Sequence, residues 1–186
     1  MDAVSLDIDA LGLIFIKESP RYISPAKAEE ISASLPPFVQ LVGVFRNQSK
    51  EEIIEITNQC KLDLLQMHGQ ESPGFCLSLP RRTIKAFSLH TLEDLTTLSQ
   101  YQGAVADALL DTGTGGTGKT FDWGLALKAK EFDLPIILAG GLNSTNVRKA
   151  IQLVNPLALD VSSCIEKAPG KKDYNKMKEF ITLARG

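Results

Sequence analysis

The sequence predicts an α/β protein of the (β/α)8 barrel class, the TIM barrel, and three observations support this. Short apolar segments alternate along the chain with amphipathic segments of about a dozen residues. Segments such as Ile136-Ile137-Leu138 are apolar along their whole length, so a strand there needs cover on both faces, as in a parallel sheet. Polar residues or glycines follow nearly every apolar segment, and the strand ends of a barrel gather around one mouth.

The predicted elements form seven strand–helix units in chain order. Residues that favour helix starts support two of the helices: Ser24 precedes a proline, and Ser49 precedes a helix that directs Ile53 and Ile54 inward. The predicted strands cover residues 10–16, 38–45, 62–68, 83–88, 105–111, 135–139 and 157–162. The predicted helices cover residues 25–35, 50–60, 73–79, 92–101, 123–132, 145–154 and 172–184.

A closed barrel of this class has eight strands, one more than the sequence shows. Residues 1–6 resemble the end of a helix that leads directly into the strand at 10–16. We therefore expect a barrel in which the first strand and most of the first helix are missing. A single domain over residues 1–186 is expected, because this length suits one domain and no linker interrupts it.

Composition and charge exclude several classes of protein. The 20 Lys and Arg and 22 Asp and Glu give a formal charge of −2, which argues against a nucleic-acid partner. No apolar run approaches the roughly 20 residues that a bilayer requires, so no membrane partner is expected. The acidic N-terminus lacks the basic flank of a signal peptide, and the three cysteines form no CxxC pair. We expect a reduced, cytoplasmic location.

Residues 113–120 match the phosphate-binding P-loop pattern G-x-x-x-x-G-K-[ST]. In that interpretation Asp160, after a later apolar strand, could hold magnesium. Too few residues follow Thr120 for the usual sheet of a nucleotide hydrolase, and Phe121-Asp122 delay the next helix. A glycine-rich lid over a barrel mouth explains the motif better, and a P-loop nucleotide hydrolase is a weak alternative.

A second candidate phosphate site combines two loops. Gly140 and Gly141 end a strand and lead into a helix; glycine lets the backbone approach an anion, and helix N-terminal amides complement its charge. The next loop contains Ser162, Ser163 and Lys171, and barrel phosphate sites are frequently built from the loops after the last two strands. The alternative is that the two glycines only form a tight turn.

Three further polar residues follow strands. Asp111 ends one strand, where a carboxylic acid suits general acid catalysis, although aspartate at such a position is more often a turn or cap residue. His68, considered alone, more often makes a structural hydrogen bond than acts as a base. Arg21 could bind a carboxylate through two parallel hydrogen bonds, and considered alone it is a surface arginine.

Six segments occur in an order that is specific to one family. They are Ser19-Pro20-Arg21-Tyr22-Ile23-Ser24-Pro25, Gln66-Met67-His68-Gly69, Leu110-Asp111-Thr112 with residues 115–123, Ala139-Gly140-Gly141-Leu142-Asn143, Asp160-Val161-Ser162-Ser163, and Pro169-Gly170-Lys171-Lys172-Asp173. From about residue 10 to the end, the chain thereby resembles phosphoribosylanthranilate isomerase.

The resemblance implies an isomerase of tryptophan biosynthesis that uses no metal and no cofactor. Such an enzyme performs an Amadori rearrangement, in which N-(5-phosphoribosyl)anthranilate becomes 1-(2-carboxyphenylamino)-1-deoxyribulose 5-phosphate. Its partner is this small phosphorylated molecule, and the chain is expected as a monomer or homodimer. Asp111 matches the general acid, Arg21 the contact to the anthranilate carboxylate, and Asp160 a sugar-hydroxyl contact. The resemblance also implies that His68 binds substrate and that the phosphate-binding residues are Gly140, Gly141, Ser162 and Ser163.

The sequence departs from this family at its start. The family begins with a strand that ends in Lys-Ile-Cys-Gly, whose cysteine is the general base, and these 186 residues contain no such segment. Cys60 and Cys76 fall on predicted helices and are expected to point away from the mouth. Cys164 follows Ser163, where the family usually has glycine; it could lie near the position of the base, but a neutral replacement of glycine is the favoured interpretation.

Two hypotheses explain the departure. In the first, the reading frame starts upstream and the chain is a fragment of an ordinary isomerase, which the otherwise intact site favours. In the second, it is a truncated or degenerate barrel that binds phosphorylated sugars without turnover. For the 186 residues alone we expect little isomerase activity and low stability, because a missing strand exposes the backbone edges of its neighbours.

Overall fold

The computed structural model describes residues 2–111 and 123–186. They belong to two compact units, Met1–Lys85 and Ala86–Gly186. The glycine-rich motif at 113–120 lies outside the described residues, so its interpretation as a lid stays a prediction.

The first unit is built from parallel strands joined by helices. Its strands are β1 (Ala10–Ile14), β2 (Gln40–Phe45), β3 (Leu64–Met67) and the start of β4 (Arg82–Ser88), and each pairs in parallel with the next. Its helices are α1 (Pro25–Ser34), α2 (Lys50–Cys60) and α3 (Pro73–Leu77), and a short 3-10 helix (Val4–Leu6) precedes β1.

Hydroxyl caps start the first helices, as the sequence predicted. The side chain of Ser24 accepts the backbone N–H of Lys27, and that of Ser49 accepts the backbone N–H of Glu52. Each cap satisfies one of the amide groups that a helix start leaves without a partner.

The second unit repeats the same parallel pattern. After α4 (Leu95–Ser99), strand β5 (Asp107–Asp111) pairs with β6 (Ile136–Leu138), which pairs with β7 (Ala158–Leu159). The helices α5 (Trp123–Ala129), α6 (Val147–Val154) and α7 (Tyr174–Arg185) complete the unit. A 3-10 helix extends α5 over Lys130–Phe132, and another covers Ser163–Ile165 after β7.

An antiparallel hairpin between β7 and α7 corrects the prediction for the C-terminal segment. Strands β8 (Glu166–Ala168) and β9 (Lys171–Lys172) pair, so Lys172 lies in a strand instead of starting the predicted helix at 172–184. Helix α7 begins two residues later, because the carboxylate of Asp173 caps it by accepting the backbone N–H groups of Asn175 and Lys176.

The predicted strands and helices all exist, and the differences lie at their ends. The helix predicted over 92–101 forms only over Leu95–Ser99, and at β7, predicted over 157–162, only Ala158–Leu159 form the strand before the chain leaves the sheet. In the part of the chain that the structure describes, no helix combines the length and hydropathy that a membrane crossing requires.

A glycine inside β2 provides a test of the packing in the first unit. A Cβ atom at Gly43 would contact Leu62 and lie 2.7 Å from the ring of Phe45, whose ring stacks on Phe15. We expect Gly43→Ala to lower the free energy of unfolding by about 1–3 kcal/mol, because the core has to shift. Urea unfolding with an unchanged m value measures this loss.

Gly74→Ala is the matched control for that substitution. Gly74 lies in α3 with open space around its Cα, so alanine there removes only chain entropy and should stabilise by about 0.5–1 kcal/mol. A Gly43→Ala variant as stable as the unchanged chain would contradict the packing described for β2.

Candidate active site

The register of the second unit places two carboxyl groups level with each other. Leu110 pairs with Leu138, and Leu138 pairs with Leu159, so the next residues of the three strand ends, Asp111, Ala139 and Asp160, lie at one height. The backbone continues this alignment, since Ala139 N–H donates to Leu110 and Asp160 N–H donates to Leu138, both at 2.9 Å. The two aspartates therefore flank a residue whose side chain is a single methyl group.

The charge of Asp111 influences the pKa of Asp160. The Asp160 residue is exposed to solvent, but nearby protein atoms reduce the hydration of its carboxylate. This loss of hydration raises the pKa of Asp160. The carboxylate of Asp111 raises the pKa further, whereas Lys172 and the backbone N–H of Val161 lower it. Asp111, Asp160 and Lys172 thus form one cluster of charges at the strand ends.

The glycine pair after β6 forms a turn that side chains hold in place. Gly140 and Gly141 have φ values of 72° and 68°, a region that favours glycine. The carbonyl of Gly141 accepts the side-chain amides of Asn143 (3.2 Å) and Asn146 (3.0 Å), directly before α6. The tight turn expected as an alternative is therefore real, and it brings the backbone to the N-terminal end of α6.

The serine pair after β7 lies beside Lys172. The Lys172 ammonium donates to the carbonyl oxygen of Ser162 at 3.0 Å and to its hydroxyl at 3.3 Å. It also donates to the Glu166 carboxylate at 3.0 Å. The sequence did not predict this contact, because Lys171 was named as the candidate and Lys172 was placed in a helix. Side chains alternate along a strand, so the two lysines lie on opposite faces of β9.

The other two predicted site residues lie in the first unit. Arg21 follows β1, is half-buried, and its backbone N–H donates to the Ser19 hydroxyl at 3.1 Å. His68 directly follows β3; its backbone N–H donates to Phe45 at 2.8 Å, and its ring contacts the side-chain amide of Gln66. The substrate-binding roles of Arg21 and His68 stay predictions.

A buried ion pair in the first unit was not predicted. The Glu71 carboxylate accepts the backbone N–H groups of Asn47 (2.7 Å) and Gly69 (2.9 Å) and lies 3.6 Å from the Lys85 ammonium. Lys85 in turn donates to the carbonyls of Gly69 (2.8 Å) and Met67 (3.3 Å). This cluster ties the loops after β2 and β3 to β4, and so fixes the backbone on both sides of His68.

The three cysteines do not offer a reactive thiolate. Cys60 and Cys76 are buried, and burial raises both thiol pKa values, that of Cys76 to about 11. Burial also raises the pKa of the half-buried Cys164, although Lys172 and Lys176 oppose the shift. Because the thiolate is the reactive form, these shifts argue against Cys164 as a base at neutral pH.

The grouping of possible metal ligands indicates which chemistry the site favours. Within residues 2–111 and 123–186, no three His, Cys, Asp or Glu side chains are grouped as metal ligands would be. The groups at the strand ends are instead carboxyl groups, hydroxyls, backbone amides and one ammonium, which suit proton transfer and the binding of an oxyanion.

Parallel strand–helix units with charged residues at their strand ends are typical of enzymes of the α/β barrel class. The model of the family "N-(5'phosphoribosyl)anthranilate (PRA) isomerase" matches residues 1–183. The chain belongs to this family, which confirms the resemblance and the (β/α)8 barrel class predicted from the sequence.

Relatives with that name cover nearly all of the chain. The N-(5'-phosphoribosyl)anthranilate isomerase of Geobacter metallireducens is 46% identical over 185 residues, which are 98% of this chain and 91% of the relative. The isomerase of Thermotoga neapolitana is 44% identical over 189 residues, 99% of this chain and 91% of the relative.

Solved structures agree with these relatives. Phosphoribosyl anthranilate isomerase from Thermotoga maritima matches with a TM-score of 0.94 and 41% identity, over 100% of this chain and 92% of that one. A phosphoribosyl anthranilate isomerase in complex with reduced 1-(o-carboxyphenylamino)-1-deoxyribulose 5-phosphate matches with a TM-score of 0.91 and 40% identity, over 100% and 91% of the two chains.

The buried ion pair generates a prediction about stability. Lys85→Met leaves the Glu71 carboxylate buried without its cation, so we expect a loss of about 3–5 kcal/mol in the free energy of unfolding. Lys27→Met is the control, since the Lys27–Glu30 pair is exposed and its removal should cost less than about 1 kcal/mol. Urea unfolding of both variants measures the difference, and equal losses would contradict the role given to Lys85.

The shifted pKa of Asp160 generates a prediction about pH. Because its pKa is raised in the folded chain, the stability that protonation contributes is present below the ordinary aspartate pKa, about 3.9, and is lost as pH rises through the raised value. Asp160→Asn cannot ionise, so its stability relative to the unchanged chain should increase as the pH rises above about 4. Urea unfolding at several pH values tests this, and a constant difference would contradict it.

Proposed function

We propose that this chain carries the acid and the substrate-binding residues of an isomerase that converts N-(5-phosphoribosyl)anthranilate to 1-(2-carboxyphenylamino)-1-deoxyribulose 5-phosphate by an Amadori rearrangement, a step of tryptophan biosynthesis. The observation that carries the proposal is the match of the isomerase family to residues 1–183. The polar residues at the strand ends of the second unit supply groups that this reaction needs.

Ring opening needs a proton on the furanose oxygen. The proton goes from the acid to the ring oxygen while the C1–O bond breaks, and the electron pair of the anilino nitrogen forms a C=N bond. We assign Asp111 as the acid, because it ends β5 and lies level with a second carboxyl group. Loss of hydration and the neighbouring Asp111 carboxylate both raise the pKa of Asp160, which supports a close pair of carboxyl groups at this position.

Substrate binding is assigned to residues that recognise its two anionic ends. A phosphate group suits the backbone at Gly140 and Gly141 and the hydroxyls of Ser162 and Ser163. The anthranilate carboxylate suits the guanidinium of Arg21, which can donate two parallel hydrogen bonds. His68 completes the proposed substrate contacts, and Asp160 accepts from a sugar hydroxyl.

The second half of the reaction needs a base that removes the proton from C2. The resulting enolamine then takes a proton at C1 and loses the proton of its C2 hydroxyl, which gives the aminoketose. The cysteine of a Lys-Ile-Cys-Gly segment performs this step in the family that the sequence resembles, and the printed 186 residues contain no such segment. The raised pKa of Cys164 argues against a substitute role, so the proposal assigns no residue of this sequence as the base.

The experiment compares the 186-residue chain with a version preceded by the first strand and loop of the Geobacter metallireducens relative. The substrate is made in situ, and turnover is followed by its disappearance. The extended chain should turn over the substrate. The 186-residue chain should bind the reduced product analogue but turn over slowly, because the cysteine base is absent from it. Failure of the extended chain to turn over the substrate would contradict the proposed function.

Asp111→Asn in the extended chain tests the acid. The amide keeps the shape of the side chain and cannot deliver the proton, so we expect turnover to fall about 10²–10⁴-fold. Affinity for the reduced product analogue should change little, which separates lost chemistry from lost binding. Near-normal turnover of this variant would show that another group is the acid.

A further inference from the structure

The hairpin β8–β9 has no role in the assigned chemistry, yet it places a lysine at the proposed phosphate site. A lysine ammonium has three N–H donors and no acceptor. In Lys172 these donors are directed to the Ser162 carbonyl, the Ser162 hydroxyl and the Glu166 carboxylate, at 3.0, 3.3 and 3.0 Å. All three donors of the ammonium therefore have protein acceptors, although the side chain remains 36% exposed.

Buried groups hold Lys172 in this position. The Glu166 side chain is only 4% exposed, and its carboxylate also accepts the backbone N–H of Gly170 at 3.2 Å. Lys176 on α7 donates to the Glu166 carbonyl at 2.8 Å, and the backbone N–H of Asp173 donates to Ile165, also at 2.8 Å. The hairpin and the start of α7 therefore form a frame that fixes the ammonium against Ser162.

The contact determines what the Ser162 hydroxyl can do. A hydroxyl has one proton to donate and two electron pairs that accept. Because an electron pair of Ser162 accepts from the ammonium, its own proton is directed elsewhere, and the adjacent positive charge makes it a stronger donor. A donor of this kind at the end of β7 suits a phosphate oxygen.

We propose that Lys172 is a positioning residue for the phosphate of the substrate: held by Glu166, it orients the Ser162 hydroxyl and backbone toward the phosphate without touching it. This inference rests on the proposed function. The exposed Lys167 follows Glu166 in β8, so its side chain lies on the opposite face of that strand from Glu166, and it provides the control.

The test is calorimetric binding of two ligands, the reduced product analogue and the same compound without its 5-phosphate. Lys172→Met should weaken binding of the phosphorylated compound by roughly 10- to 100-fold, the range for a hydrogen bond that involves a charged group. Its affinity for the compound without phosphate should stay within about twofold of the unchanged chain, and Lys167→Met should change neither affinity.

A double-mutant cycle distinguishes positioning from direct contact. If Lys172 acts through Ser162, the variant that combines Lys172→Met with Ser162→Ala should bind the phosphorylated compound about as weakly as the weaker single variant. Losses that simply multiply would overturn the proposal in favour of two independent contacts. An equal loss for both ligands would overturn it in favour of general damage to the fold.

A more conservative variant keeps the outcome decisive. Lys172→Arg keeps the charge and should lose less affinity than Lys172→Met, and it replaces that variant if the methionine form fails to fold by circular dichroism. If the unchanged chain binds both ligands equally, the proposed phosphate site itself is wrong. If the unchanged chain prefers the phosphorylated compound and Lys172→Met keeps that preference in full, the site stands and the role of Lys172 is refuted.

Discussion

The parallel register of β5, β6 and β7 is the constraint on which the candidate site depends. It sets Asp111, Ala139 and Asp160 at one height, so two carboxyl groups lie at the same edge of the sheet with a methyl side chain between them. The loops that begin at this height carry the glycine turn and the serine pair. A shift of one residue in the pairing would turn both aspartates to the opposite face of the strands, because side chains alternate along each strand.

A buried glutamate paired with a lysine fixes loop backbone in each unit. Glu71 with Lys85 holds the loops after β2 and β3, and Glu166 with Lys172 holds the loop after β7. Buried ion pairs contribute little net stability, because desolvation offsets the attraction between the charges. Their value here is geometric, since each lysine also donates to a backbone carbonyl in a loop that carries a predicted site residue.

Most elements could be predicted from the sequence, because apolar strands and capped helices have local patterns. The existence of β5 and β6 and the end of β5 at Asp111 follow from those patterns and were expected. The pairing of Glu71 with Lys85 was not, since it joins a loop to the interior of a strand and leaves no periodic signal. The hairpin at Glu166–Ala168 and Lys171–Lys172 was missed for a similar reason: two strands this short resemble a polar loop, and only the fold shows which lysine turns toward Ser162.

The central claim is that the strand ends of the second unit bind the phosphate of a phosphoribosyl compound beside an acidic pair. A crystal structure of this chain with the reduced product analogue tests it most directly. The account predicts phosphate oxygens within hydrogen-bond distance of the backbone at Gly141 and of the Ser162 hydroxyl. It also predicts the Lys172 ammonium still bound to Glu166 and a sugar oxygen between Asp111 and Asp160. A phosphate bound away from Gly141 and Ser162, or one that displaces Lys172 from Glu166 and contacts it directly, would contradict the account.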